Sequence, residues 1–259
     1  MLGVMVDAID YRDVSERVLA AARERQPLAV SALAVHGVMT GVLDRRQRYR
    51  LNHLDVVTPD GQPVRLALNL LHRARLADQV RGTTMTLHVL AGAEREGLPV
   101  FFYGSTTATL RQLEAEVRRR FPALEIAGLE PSKFRSAEPG EQHEIAERIA
   151  ASGARVAFIG LGCPRQEAFV YAFRGRLSIP LLAVGAAFDY LAGNLEDPPE
   201  ALRRNGLEWA WRLKMEPRRL WRRYVLLNPA YLALLALQAT RLWKPDSDGA
   251  LPASGAIDV

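Results

Sequence analysis

The residues best suited to chemistry lie where apolar runs stop. In "NHLDVVTPDGQPV" an apolar run over 54–57, broken by Asp55, ends at Thr58-Pro59-Asp60-Gly61, and a helical pattern over 64–71 follows. Asp60 therefore stands where a strand ends and a helix starts. A carboxylate at such a place is either an ordinary turn residue or a group able to take a proton from a hydroxyl. Two further turns share this character. "FFYGSTTATL" puts Gly104 after a strand, with Ser105, Thr106 and Thr107 available as helix caps. "FIGLGCPRQE" puts Gly160 and Gly162 at another strand end and Pro164 at a first helical position. Each turn alone reads as tight βα punctuation. Three of them, on strands of one parallel sheet, point to a ligand crevice at the strands' carboxyl edge.

Other chemistries find less support. The five histidines, His36, His53, His72, His88 and His143, show no metal-ligand spacing, and the Asp246-x-Asp248 pair falls in a Gly/Pro/Ser-rich tail. No metal is expected, and no cofactor. Cys163 is the only cysteine, so no internal disulfide can form, and a lone thiol in a tight turn is a packing residue. Gly160-Leu161-Gly162 opens a helix as dinucleotide-binding turns do. However, Arg165 occupies the third glycine position, and no acid ends the strand at 181–184 to hold a ribose. The turn can cradle phosphate without carrying the dinucleotide fingerprint.

The elements that must position these residues follow from hydrophobic periodicity. Short apolar runs at 28–35, 54–58, 100–103, 124–127, 156–159 and 181–184 predict strands. Amphipathic stretches at 11–24, 39–51, 63–72, 83–96, 106–120, 139–152 and 164–175 predict helices. Such alternation predicts an α/β fold, a mostly parallel sheet with helices on both faces, over residues 1–202. The chain has 259 residues, 49% of them hydrophobic, enough for one large α/β domain. Its N-terminus lacks a basic region and does not read as a signal peptide.

Residues 203–244 differ: helical, aromatic and basic, with ten Lys/Arg against two Asp/Glu, while the rest of the chain is net acidic. Arg218, Arg219, Arg222 and Arg223 repel one another unless an anion bridges them. The mainly apolar stretch 224–240 is too short and too interrupted to span a bilayer, and suits an interfacial helix or one packed on the core. Local basicity of this kind favours phosphate, whether of a nucleotide, a lipid surface or nucleic acid. Residues 245–259 read as a disordered tail.

The stretches "VVTPDGQPV", "FFYGSTTATL", "FIGLGCPRQEAF", "AVGAAFDYLAGNLEDPPEALRRNGLEWAWRL" and "EPRRLWRRYVLLNP" run in order between residues 56 and 229. Together they resemble the successive signatures of the WecG/TagA/CpsF family of bacterial glycosyltransferases. The resemblance implies a Rossmann-like α/β domain with a C-terminal helical, membrane-associating appendage. It implies transfer of a sugar, of N-acetylmannosamine type or another hexose, from a UDP-sugar to a polyprenyl-diphosphate-linked sugar in cell-surface polysaccharide synthesis. The enzyme would be cytoplasmic and peripheral on the inner membrane face. Its partners would be donor, acceptor and an anionic membrane, with no nucleic acid and with room for a homo-oligomer.

By the same resemblance Asp60 of Pro-Asp-Gly is the catalytic base. Direct displacement at the anomeric carbon then inverts it, and the departing diphosphate needs a metal or fixed cations. Arg212, Arg218, Arg219, Arg222 and Arg223 are the candidate cations. Supporting positions are Gly61, Gln62, Gly82, Thr83, Gly104, Gly160, Gly162, Gln166, Glu167 and Asp189, the last two being equally readable as a cap or an ion-pair partner. The chain departs from the family where a Thr-x-Asn element is common, having "VSALAVHG" with Ala32, Ala34 and His36. It also has "QVRG", with Gln79 and Arg81, in place of "RVTG". Two rival readings remain open: a nicotinamide-dependent oxidoreductase, and a non-catalytic module binding membrane or nucleic acid through the basic segment.

Overall fold

The structure, a computed structural model, describes residues 1–252, 255 and 257–259, with the side chains of residues 204, 219 and 223 left out. Strands are β1 (Leu28–Leu33), β2 (Val56–Pro59), β3 (Val100–Gly104), β4 (Ile126–Glu130), β5 (Ser136–Ala137), β6 (Val156–Gly160), β7 (Pro180–Ala183) and β8 (Ile257–Asp258). Helices through the core are α1 (Tyr11–Glu24), α2 (Val35–Leu43), α3 (Arg45–Asn52), α4 (Gln62–His72), α5 (Gly82–Glu96), α6 (Thr107–Arg120), α7 (Pro139–Ala151), α8 (Arg165–Phe173) and α9 (Ala187–Leu191). Then follow α10 (Glu200–Arg204), α11 (Glu208–Met215), α12 (Pro217–Arg222), a π-helical turn (Arg223–Leu227) and α13 (Asn228–Ala239).

Six strands form one sheet in the order β2-β1-β7-β6-β3-β4, and every pairing is parallel. All six predicted strands are present. Their near-continuous apolar character has the expected cause: helices cover both faces. Alternation divides the side chains. Val30, Phe102, Phe158 and Leu182 pack under α1, α5, α6 and α9. Ala29, Phe101, Tyr103, Ile159 and Leu181 pack under α7 and α8, where Phe169 and Phe173 stack. Because the strands are parallel, all six carboxyl ends open on one edge.

Two expectations are revised by local chemistry. The helix expected over 39–51 is two helices, because Asp44 turns extended and its carboxylate caps the backbone N–H of Arg46 at 2.8 Å. The strand expected from 54 begins at Val56, because Asp55 instead ties the preceding turn to β1, accepting from Ala29 N–H at 2.7 Å.

The C-terminal helices lie partly on the core. Tyr231 and Leu235 of α13 join a third apolar cluster with Met1, Leu2, Val4, Leu33, Val57 and Val64. The Tyr231 hydroxyl donates to Pro63 O at 3.1 Å. Their other side keeps Trp221, Val225, Leu226 and Leu232 exposed. Among the described residues no helix is long and apolar enough to cross a membrane. The described part of the tail lies along the body of the protein, where composition predicts disorder. Asp246 O accepts from Arg48 at 2.8 Å, β8 pairs antiparallel with β5, and Val259 is buried. Those contacts supply the burial and pairing that its composition alone does not predict. Residues 253, 254 and 256 of that expected tail lie outside the described residues.

Candidate active site

The carboxyl edge of the sheet opens on a polar cavity of about 350 Å³. Every strand of the sheet contributes residues at or just past its end: Ala34 after β1, Asp60 after β2, Ser105 and Thr106 after β3, Ser132 after β4, Gly160, Gly162 and Arg165 at the end of β6 and beyond it, and Val184, Gly185 and Asp189 after β7. Helices α5, α6 and α8 start at its wall, so their free N–H groups and dipole ends favour an anion there. The helix starts can come this close because two glycines allow it. A Cβ on Gly104, at φ +120°, would lie 2.7 Å from the backbone of Gly160, and one on Gly82 would lie 2.7 Å from Val184 O.

Asp60 lies on a wall shared by this cavity and a second one of about 100 Å³ on the side of the C-terminal helices. Ala34, Glu208 and Arg212 are shared in the same way, whereas Gly61, Gln62, His36, Trp209 and Tyr224 line only the second. The backbone N–H of Gly82, at the start of α5, faces the Asp60 carboxyl. Burial, and next the charge of Glu208, push the carboxyl up to about 6, while Arg81, Arg212 and the Gly82 N–H hold it back. A carboxylate tuned there is ionised at neutral pH yet basic enough to accept a proton.

The cations around Asp60 are only partly those expected. Arg212 lines both cavities, 5.9 Å from the centre of the Tyr190 ring, with Glu216 at 3.8 Å. Arg218 and Arg222 are exposed and absent from both cavity walls; Arg222 instead lies over the Trp221 ring. The side chains of Arg219 and Arg223 lie outside the described residues. Two arginines that sequence reasoning passed over take their place. Arg165, at the start of α8, lines the cavity and makes no ion pair among the described residues. Arg81 is buried, its Nη2 donating to Asp197 Oδ1 at 2.9 Å and Glu208 Oε1 at 3.2 Å, with its guanidinium 5.8 Å from the Tyr190 ring centre. Both carry a sequence signal: Arg165 replaces a glycine of the dinucleotide pattern, and Arg81 is the departure in "QVRG".

Among the supporting positions, Gly82, Thr83, Gly160, Gly162, Gln166, Glu167 and Asp189 line the larger cavity, whereas Gly104 shapes it from behind. Gln62 reaches Asp78 at 3.2 Å. Gln166 and Glu167 are committed to each other. Gln166 Nε2 donates to Glu167 Oε1 at 2.9 Å, Ser31 Oγ donates to the same oxygen at 3.1 Å, and Gly185 N–H donates to Gln166 Oε1 at 3.0 Å. Burial pushes the Glu167 carboxyl up, while hydrogen bonds from Gln166, Cys163 and Ser31 act the other way. Asp189 accepts from Asn194 through its backbone carbonyl and holds the turn after α9. Among the described residues no group of three His, Cys, Asp or Glu side chains is placed to hold a metal ion.

A parallel sheet with a phosphate-friendly cavity and one tuned carboxylate facing it has the layout of a group transferase. The Glycosyl transferase WecG/TagA/CpsF family model matches residues 1–245, and the chain belongs to this family. It is also 31% identical over 200 residues to an N-acetylglucosaminyldiphosphoundecaprenol N-acetyl-beta-D-mannosaminyltransferase of Bacillus spizizenii, spanning 77% of this chain and 75% of that protein.

Proposed function

We propose that this glycosyltransferase moves an N-acetylmannosamine-type sugar from a UDP-sugar to a hydroxyl of a polyprenyl-diphosphate-linked sugar, with inversion and with Asp60 as general base. The observation carrying this reading is the position of Asp60 on a wall common to two cavities. A base for glycosyl transfer must touch the acceptor hydroxyl while that hydroxyl faces the donor's anomeric carbon. The larger cavity, ringed by helix starts, suits the nucleotide diphosphate. The smaller, lined by Trp209 and Tyr224 beside the C-terminal helices, suits an acceptor sugar arriving from a bilayer. The acceptor named for the Bacillus relative, an N-acetylglucosaminyldiphosphoundecaprenol, supports this class.

Asp60 takes the acceptor proton as its oxygen attacks the anomeric carbon from the face opposite the departing diphosphate. The new C–O bond forms as the bond to the diphosphate oxygen breaks, and the configuration inverts. Arg165, Arg212 and the starts of α6 and α8 meet the charge that develops on the leaving group. The exposed apolar and basic residues of the C-terminal helices support peripheral attachment at the cytoplasmic membrane face.

The test is a donor screen with a short-chain polyprenyl-diphosphate N-acetylglucosamine acceptor. UDP release and the anomeric configuration of the product are followed together. UDP-N-acetylmannosamine should give acceptor-dependent turnover with an inverted linkage. A retained configuration would refute direct displacement. Acceptor-independent UDP release alone would refute transfer.

A further inference from the structure

The site holds a charge arrangement that the proposed chemistry does not itself require. Arg81 is the N-cap of α5, directly before the glycine whose N–H faces Asp60. Its buried guanidinium is gripped by two carboxylates, and both come from the chain beyond the sheet: Asp197 from the loop after α9, and Glu208 from α11. Glu208 and Arg212 are one turn apart on α11, and both open on both cavities. The Trp211 indole N–H donates to Glu196 O at 3.1 Å, tying α11 to the same loop. Thus α11 is joined to the start of α5 through one buried cation.

We propose that Arg81 and Glu208 are a positioning pair, the joint through which α11 sets the charge environment of Asp60. The inference rests on the reading of Asp60 as the base. The groups facing Asp60 come from every element around it: Gly82 N–H and Arg81 from α5, Glu208 and Arg212 from α11, Tyr11 from α1, Asp189 and Tyr190 from α9, and His36 of α2 across the second cavity. Among these, Arg81 and Glu208 act on Asp60 with opposite sign. Arg81 favours its ionised form and Glu208 disfavours it.

The experiment is the pH profile of kcat/KM for UDP release, with UDP-N-acetylmannosamine and the short-chain acceptor, for the full chain and the variants R81Q, R81K, E208Q and R81Q/E208Q. A base works ionised, so activity falls as pH drops through its folded pKa. E208Q removes a negative neighbour and should move the acid midpoint down. R81Q removes a positive neighbour and should move it up. Each displacement should be roughly half a pH unit or more. R81K keeps the charge and should lie beside the parent, with the double variant between the two single ones.

Acid midpoints that coincide while all rates fall together would overturn the pair, because that is the signature of a structural role. If R81Q does not fold, E208Q and R81K decide, since Gln keeps an acceptor for Arg81 and Lys keeps the cation. Asp60→Asn separates the two failures. Transfer surviving in that variant removes the base itself. Transfer abolished, with coincident midpoints in the others, removes only the pairing.

Discussion

Asp60→Asn should abolish most transfer and stabilise the protein. A carboxyl moved from 3.8 to about 6 binds its proton more tightly folded than unfolded. Between those values the folded state holds the extra proton, so stability falls as pH rises through this window and stays low above it. The full displacement corresponds to about 3 kcal/mol at pH 8, reduced to about 2 kcal/mol for screening by water in the cavity. At pH 5 about half of that remains, because the folded carboxyl is then mostly protonated while the unfolded one is not. Asn keeps an oxygen for the Gly82 N–H and carries no charge. The variant should therefore melt several degrees above the parent at pH 8, with the gap closing toward pH 4. Transfer should drop by roughly 10²–10⁴-fold, the range for loss of a general base. Thermal melts at pH 8 and pH 5 and UDP-release rates on the same preparations test both halves. A variant no more stable than the parent at pH 8 would show that Asp60 is not a destabilising buried carboxylate, and near-parent turnover would remove it as the base.

Three further outcomes are expected. UDP release should persist in EDTA, because in the proposed reading Arg165, Arg212 and helix starts meet the leaving group; complete loss restored by Mg²⁺ would transfer that role to a metal. Glu167→Gln should keep activity within about tenfold, because an amide keeps the oxygen that accepts from Gln166 and Ser31, and a collapse of 10²-fold or more would mean the carboxylate itself is needed. Replacing exposed Trp221, Val225, Leu226 and Leu232 with Ser should weaken sedimentation with anionic liposomes more than turnover on a soluble acceptor analogue, with about 1 kcal/mol per nearby basic residue remaining; unchanged sedimentation would place the membrane contact elsewhere.

The sheet was legible because a strand buried on both faces writes itself as an apolar run, and each of the six runs reappears within a few residues. Asp60 was legible because Pro-Asp-Gly at a strand end marks both a turn and an edge. The cations were less so. Spacing along one helix drew attention to residues 218–223, yet Arg218 and Arg222 point outward, and neither lines a cavity wall. Arg81 and Glu208 meet across 127 residues of sequence, and no local pattern encodes such a meeting. The break at Asp44 was hidden because the helical period continues across it, while a single capping carboxylate decides the backbone.

The cluster that joins Met1, Leu2 and Val4 to Tyr231 and Leu235 also bears on the order of assembly. Leu2 N–H donates to Gln238 Oε1 at 2.9 Å across 236 residues, among the longest loops this chain can close. During synthesis the sheet and its helices emerge first, with the face that will receive α13 still bare. Helix α11, which brings Glu208 and Arg212 to the catalytic wall, lies in the same late-arriving segment. Contacts of such separation form late, after their loop-closure entropy has been met by other gains. A nascent chain therefore has a finished sheet edge before either cavity has the wall that α11 supplies. Catalytic competence becomes the last event of folding, and an interrupted chain would be an inert one.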